Sequence, residues 1–347
     1  MSPALAAYYA AALPQLLRAS RAAFPRAFPA DWLRAAGLRP SASLLRRINA
    51  PARLYLERPG KLLRPLITRL LLEAFGKAPA AYEEVLGAVE LMEASTVSFD
   101  DIIDGSGLRR GGPATHRLYG EKNAYLAYQA SYNWAWRVFL SPSLRLEDWR
   151  REYILRSLSS EIFAYGYGQS AELWWTAGRR EPSPEEYLSM SWDRIRFLSF
   201  NGPFRIGALL GGCARRELPR FEAAGSWLGM AYHLHGDELN LFPRSEAWGK
   251  PLADDITSGR YTYLYLTAIR LSSPALRAAL GDASISTAAL KNVIDIVRRS
   301  GALEENRRMI GAFRRRALSE LGSCRLRRRE LSLLRSLAYY MADERDK

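Results

Sequence analysis

Asp100-Asp101-Ile102-Ile103-Asp104 closes a long apolar helical pattern, and Arg109-Arg110-Gly111 follows after a short loop. On an α-helix, residues four apart share a face, so Asp100 and Asp104 project to one side with Asp101 beside them. Carboxylates gathered on one face repel unless a cation sits among them. A hard divalent ion such as Mg²⁺, which takes oxygen ligands and holds substrate phosphates, suits that position. The arginine pair suits diphosphate oxygens. A solvated acidic helix end is the bland reading of the same five residues, and the rest of the chain must decide.

Further polar signals follow one another in order: Gly60-Lys61-Leu62-Leu63-Arg64-Pro65 upstream, then Gly168-Gln169, Tyr232-His233 with Gly236-Asp237 and Asn240, and Gly249-Lys250-Pro251 with Asp255, Gly259-Arg260 and Thr262. Alternating cations and carboxylates mounted on helices are what a site for two diphosphates and several Mg²⁺ ions requires. Six of the fifty basic residues are lysine, and two of the six fall in these short stretches.

The elements that carry these residues read as helices. Long 3.6-residue periodicities dominate and strand alternation is nearly absent. Helices are expected over about 61–75, 81–104, 121–140, 146–178, 185–214, 216–241, 261–280, 286–300, 303–321 and 327–343. The first forty-odd residues read as Ala/Leu/Arg-rich helix broken at Pro14, Pro25, Pro29 and Pro40. Ser183, Pro184 and Glu186 spell a capping box. With 347 residues and 48% hydrophobic content the chain affords a large core, and one all-α domain spanning 1–347 is expected, with 1–50 as an N-terminal helical extension packed on it.

The formal charge is +14, a balance that fits nucleic acid, anionic membrane surfaces or phosphorylated substrates. The excess is spread along the chain, and no base-stacking pattern accompanies it, which argues against nucleic acid. Cys213 and Cys324 lack metal-ligand spacing and read as free thiols in a reducing cytoplasm. No stretch is long enough to span a bilayer, so membrane contact is expected to be peripheral at most, for product release.

The ordered set resembles the trans-isoprenyl diphosphate synthases, the polyprenyl synthetase family. Asp100–Asp104 with Arg109-Arg110-Gly111-Gly112-Pro113-Ala114-Thr115-His116 looks like the first aspartate-rich motif with its trailing arginines. The resemblance implies the all-α isoprenoid-synthase bundle around a deep central cavity, usually homodimeric. It implies that Asp100, Asp101 and Asp104 hold two or three Mg²⁺ ions on an allylic diphosphate, with Asp237 and Asn240 as further metal ligands. The metals then neutralise the leaving diphosphate, an allylic cation forms, and isopentenyl diphosphate attacks it. Lys61, Arg64, Glu93 and Arg110 fall where isopentenyl diphosphate is held. Arg109, Arg194, Lys250 and Arg260 fall where the allylic diphosphate is held, and His233 is counted among the substrate-binding positions.

Four positions depart from the pattern. Glu93 replaces a His or Gln and, unless protonated or paired with Lys61 or Arg64, would repel a diphosphate. Gly236 replaces the first aspartate of the second motif, Ile195 a hydroxyl residue, and Glu172 an Asp. Ser95 and Thr96 are small where bulk limits product length, which implies products of twenty carbons or more. Chain elongation is the leading expectation. A synthase-like terpene cyclase that ionises a prenyl diphosphate without elongation is the alternative, and a non-catalytic partner subunit is third.

Overall fold

A computed structural model describes residues 1–25, 33–34, 37, 39, 41–178, 180–195, 200–243, 252–272, 274–280, 282 and 284–344, without the side chains of 195, 274 and 275. Lys250, Pro29 and Pro40 lie outside the described residues. The described residues form two compact units, residues 7–155 and residues 1–6 with 156–347.

The 7–155 unit holds α1 (Pro3–Ala22, from Ala7), α2 (Ala42–Glu57), α3 (Leu63–Ala74), α4 (Glu83–Ile103), α5 (Thr115–Tyr119) and α6 (Glu121–Leu140). α7 (Asp148–Thr176) runs through the boundary between Leu155 and Arg156. Leu66, Ile67, Leu70, Val85, Leu86, Leu91 and Phe139 are among its buried apolar side chains. α4 packs mainly on α6. Gly87 on α4 permits the close approach of α1: a Cβ there would lie 2.6 Å from the Ala19 carbonyl oxygen. Tyr8 of α1 donates to Glu73 of α3 at 2.6 Å.

Between α4 and α5 the chain makes a minimal hairpin, β1 (Leu108–Arg109) against β2 (Gly112–Pro113). Its two turn residues, Arg110 and Gly111, sit at φ +50° and +75°. Positive φ at both positions is what a type I′ turn needs. Glycine takes it readily, whereas arginine does so at a cost of roughly 1–2 kcal/mol.

The second unit holds α8 (Pro184–Ile195), α9 (Gly202–Gly211), α10 (Leu218–Leu241), α11 (Asp254–Thr257), α12 (Tyr263–Leu271), α13 (Thr287–Arg299), α14 (Ala302–Gly322) and α15 (Arg328–Tyr339). α10 packs mainly on α14. One core cluster joins Leu241, Ile256, Tyr265, Ile294 and Val297, and another joins Trp175, Tyr187, Met230, Leu234 and Phe313.

The long elements follow the periodicities, but α2 (through Pro51) and the short α5 and α11 were not among the expected helices, and others differ in extent. α1 continues through Pro14, because a proline forfeits one backbone donor while Leu5, Ala12 and Leu16 keep their buried stripe. Within the stretch expected as one helix over 185–214, the described residues hold α8 and α9. The one expected over 261–280 ends as α12 at Leu271 and resumes as a 3₁₀ turn, Pro274–Ala279, since Pro274 cannot continue an α-helical bond ladder. The capping box is present: Ser183 Oγ accepts from the Glu186 amide at 3.1 Å, and Glu186 accepts from the Ser183 amide at 2.8 Å.

Candidate active site

The first acidic cluster ends α4. Its three aspartates have different surroundings. Asp101 is fully buried. Its Oδ2 accepts from the Tyr55 hydroxyl at 2.6 Å, and its Oδ1 accepts from Arg109 Nε at 2.8 Å and also from Arg109 Nη2. The Tyr55 hydroxyl in turn accepts from the Thr115 amide at 3.1 Å, tying α2, α4 and the start of α5 together. Burial, reinforced by the Asp101 hydrogen bond, pushes the Tyr55 hydroxyl up to about 12, so it stays a donor. Asp100 and Asp104 are half-buried, and their i, i+4 spacing places them on one helix face.

That division of labour gives the carboxylates separate tasks. Asp101 has both oxygens engaged within the protein and positions Arg109. Asp100 and Asp104 are the pair that could meet a cation. Among the described residues no group of three His, Cys, Asp or Glu is arranged to hold a metal by itself. Mg²⁺ keeps several waters and is held by one or two carboxylates plus substrate phosphates, so a two-carboxylate helix end fits it. The burial of Tyr128 on α6, with the Asp100 charge as the second cause, raises its hydroxyl to about 12. A negative charge at Asp100 is thus felt by the next helix.

Beside it lies a set of ion pairs. Arg64 Nη1 meets Glu93 Oε1 at 2.7 Å, and Arg110 Nη2 meets Glu90 Oε1 at 3.3 Å. Arg110 Nη1 also donates to the carbonyls of Tyr55 at 2.6 Å and Arg58 at 3.3 Å, bonds that hold its left-handed backbone in place. Lys61 is exposed, three residues before Arg64 in the chain, and its carbonyl accepts from Tyr9 at 3.1 Å. Glu90 is the residue that sequence reasoning missed. It is buried, and desolvation raises its carboxyl to about 7, with Arg110 opposing and Glu93 reinforcing the rise. The available signal was its spacing of three from Glu93, which puts two carboxylates on one face of α4.

The 156–347 unit carries the second cluster. Asp237 on α10 is buried, and its Oδ2 accepts from the Tyr187 hydroxyl at 3.3 Å. His233, one turn earlier, shares a 2.9 Å hydrogen bond with Tyr187 and lies 3.9 Å from Asp237. Burial, then the charges of Asp255 and Glu172, raise the Asp237 carboxyl well above its ordinary range, against the pull of Arg194. A buried carboxylate whose ionised form is disfavoured by burial and by neighbouring carboxylates is a donor that a cation would relieve. Asn240 Oδ1 accepts from the Asp255 amide at 3.3 Å, which ties the expected ligand Asn240 to the backbone of α11. Glu238 is turned elsewhere and pairs with Arg307 at 2.9 Å.

Two of the expected diphosphate cations lie in this unit. Arg194 is paired with Glu172 and Gln169. It passes so close to Gly168 that a Cβ there would lie 2.6 Å from the Arg194 Cβ, which gives the Gly168-Gln169 pair its reason. Arg260 is paired with Asp254 and Asp255 at 2.9 Å each.

A family model described as polyprenyl synthetase matches residues 45–297. This chain belongs to the polyprenyl synthetase family. It is 29% identical over 254 residues to a short chain isoprenyl diphosphate synthase of Methanothermobacter thermautotrophicus, covering 71% of this chain and 74% of that one. It is 26% identical over 277 residues to a farnesyl diphosphate synthase of Geobacillus stearothermophilus, covering 73% and 90%. Its fold matches the crystal structure of geranylgeranyl pyrophosphate synthetase from Pyrococcus horikoshii with a TM-score of 0.82, at 20% identity over 98% of both chains. It also matches, with a TM-score of 0.78 and 21% identity over 98% of both chains, a Corynebacterium glutamicum geranylgeranyl pyrophosphate synthase complexed with isoprenyl diphosphate and magnesium. The polyprenyl synthetase described here is thus a prenyltransferase of isoprenoid biosynthesis with the all-α isoprenoid-synthase fold. No described helix is long and apolar enough to cross a membrane.

Proposed function

We propose that this polyprenyl synthetase condenses isopentenyl diphosphate with an allylic prenyl diphosphate, in the presence of two or three Mg²⁺ ions, to give a trans-prenyl diphosphate of twenty carbons or more. The observation that carries the reading is the sorting of the first motif into a buried Asp101–Arg109–Tyr55 brace and a pair of half-buried carboxylates, Asp100 and Asp104. Relatives named geranylgeranyl and farnesyl diphosphate synthases support it. The proposal extends to the whole chain working as one catalytic domain, as a homodimer in the cytoplasm with at most peripheral membrane contact.

Asp100 and Asp104 would hold the ions on the allylic diphosphate, and Asp237 with Asn240 would hold a further one. Bound there, Mg²⁺ supplies charge neutralisation of the departing diphosphate. Arg109, fixed by Asp101, presents a rigid fork to diphosphate oxygens without reorganising. Arg194, Lys250 and Arg260 add positive charge to the allylic diphosphate, and Tyr187 holds the His233 ring by its 2.9 Å hydrogen bond. Lys61, Arg64 and Arg110 hold the acceptor, whose double bond attacks the allylic carbon as its C–O bond breaks. The proton then lost from the acceptor goes to the released diphosphate. Ser95 and Thr96 fold their hydroxyls back onto the Met92 carbonyl at 2.8 and 3.2 Å, leaving no ring from α4 at that level to stop chain growth.

One observation favours the cyclase alternative. Phe99, next to Asp100, stacks on Tyr128 at 4.5 Å, and the series continues along α6 through Tyr132 at 6.4 Å to Trp136 at 6.3 Å. Aromatic faces stabilise cations. The test supplies purified protein with Mg²⁺, labelled isopentenyl diphosphate and each allylic primer in turn. Label in longer diphosphates supports elongation, and no incorporation with any primer defeats it. Hydrocarbon or alcohol from a primer alone supports cyclisation.

A further inference from the structure

The cations assigned to the acceptor do not stand alone. Arg64 carries Glu93 at 2.7 Å and Arg110 carries Glu90 at 3.3 Å, and all four side chains are at most 15% exposed. Glu90 and Glu93 lie three apart on α4, so both carboxylates approach the acceptor cations from one helix face. Arg110 has spent its other terminal nitrogen on the carbonyls of Tyr55 and Arg58. Three positive groups, Lys61, Arg64 and Arg110, thus come with two built-in acids. Desolvation is the main cause holding Glu90 at about 7, which leaves it partly ionised near neutrality while Glu93 stays on Arg64.

A phosphate monoester carries a charge of about −1.5 to −2 at neutral pH, and a diphosphate ester roughly one more. Each carboxylate that remains ionised beside the acceptor head repels it, in a setting screened less than bulk water. We propose that Glu93 on Arg64 and Glu90 on Arg110 set the acceptor specificity, so that beside isopentenyl diphosphate this site takes a head less charged than a diphosphate: the phosphate monoester of a homoallylic alcohol, whose product is a prenyl monophosphate that is not elongated further. The inference rests on the prenyl-transfer reading. The chemistry balances as before: the allylic C–O bond breaks with its electron pair leaving on diphosphate. The acceptor π pair forms the new C–C bond, and the acceptor's proton goes to the released diphosphate. The acceptor's own phosphate ester is untouched.

The test titrates isopentenyl monophosphate and isopentenyl diphosphate into the full chain by calorimetry, and measures KM and kcat for each with a fixed primer and Mg²⁺. The wild type is expected to bind the monophosphate at least as tightly as the diphosphate. Glu93→Gln should tighten the diphosphate about tenfold, equivalent to ~1.4 kcal/mol, in Kd and KM. It should move the monophosphate much less, and Glu93→Asp, which keeps the charge, should retain the wild-type preference. If Glu93→Gln does not fold, Glu90→Gln reads the same ratio. A wild type that prefers the diphosphate, with the ratio unmoved by Glu93→Gln, overturns the inference. Efficient incorporation of label in that case leaves the elongation reading standing. The expected binding ratio with no incorporation from either acceptor does the reverse.

Discussion

Asp101→Asn separates a structural aspartate from its two neighbours. Asp101 is fully buried and engages both the Tyr55 hydroxyl and the Arg109 guanidinium, whose side chain is 21% exposed. Neutralising the carboxylate leaves a mostly buried guanidinium without its anion. Breaking a buried pair on one side costs about 3–5 kcal/mol, and the lower end applies here because water reaches Arg109. About 3 kcal/mol in a unit of this size lowers Tm by roughly 6–12 °C. Asp100→Asn and Asp104→Asn remove charge from half-buried positions, and each should change stability by less than about 1 kcal/mol. Thermal and urea unfolding of the three variants, without ligand, gives the comparison. If Asp101→Asn is as stable as the wild type, or if Asp100→Asn is destabilised to the same degree, the brace is not what holds Asp101 in place.

Other consequences follow from the same geometry. Asp104→Asn should abolish the Mg²⁺-dependent stabilisation given by a non-hydrolysable allylic diphosphate analogue, read as the loss of its Tm shift. The Glu90 carboxyl is raised in the folded state, so its ionisation opposes folding. The penalty is absent below about pH 4.5, grows as pH rises toward 7, and reaches roughly 3 kcal/mol above that. Glu90→Gln should therefore stabilise the protein at pH 8 and make no difference at pH 4, as denaturant titrations at the two pH values would show. Ser183→Ala removes the capping hydroxyl of α8 and should cost about 1 kcal/mol in urea unfolding, with activity retained.

Much of the fold was legible because long amphipathic periods and their stop signals act locally. α6 and α10 end where Leu140 and Leu241 end their patterns, and Ser183 caps α8 as its spacing requires. What local reading cannot see is a partner distant in the chain. Tyr55 meets Asp101 across 46 residues, so three aspartates of one motif read alike until the fold distinguishes them. Glu93 with Arg64 was among the pairings the sequence allowed, because an uncompensated carboxylate beside a diphosphate site demands a cation. Glu90 was not legible, since a glutamate among Val85, Leu86 and Val89 reads as a helix's polar edge until its burial is known. The positive φ of Arg110 was likewise hidden, because arginine is an uncommon choice there and only the hydrogen bonds of its side chain hold it.

The measurement closest to the central claim is the stoichiometry of inorganic diphosphate released to isopentenyl label incorporated, with Mg²⁺ and a productive primer. Prenyl transfer at Asp100 and Asp104 predicts one diphosphate for each isopentenyl unit joined, with both signals lost together in Asp100→Asn and Asp104→Asn. Diphosphate release from the allylic primer with no label incorporated, or turnover that survives both substitutions, would contradict it.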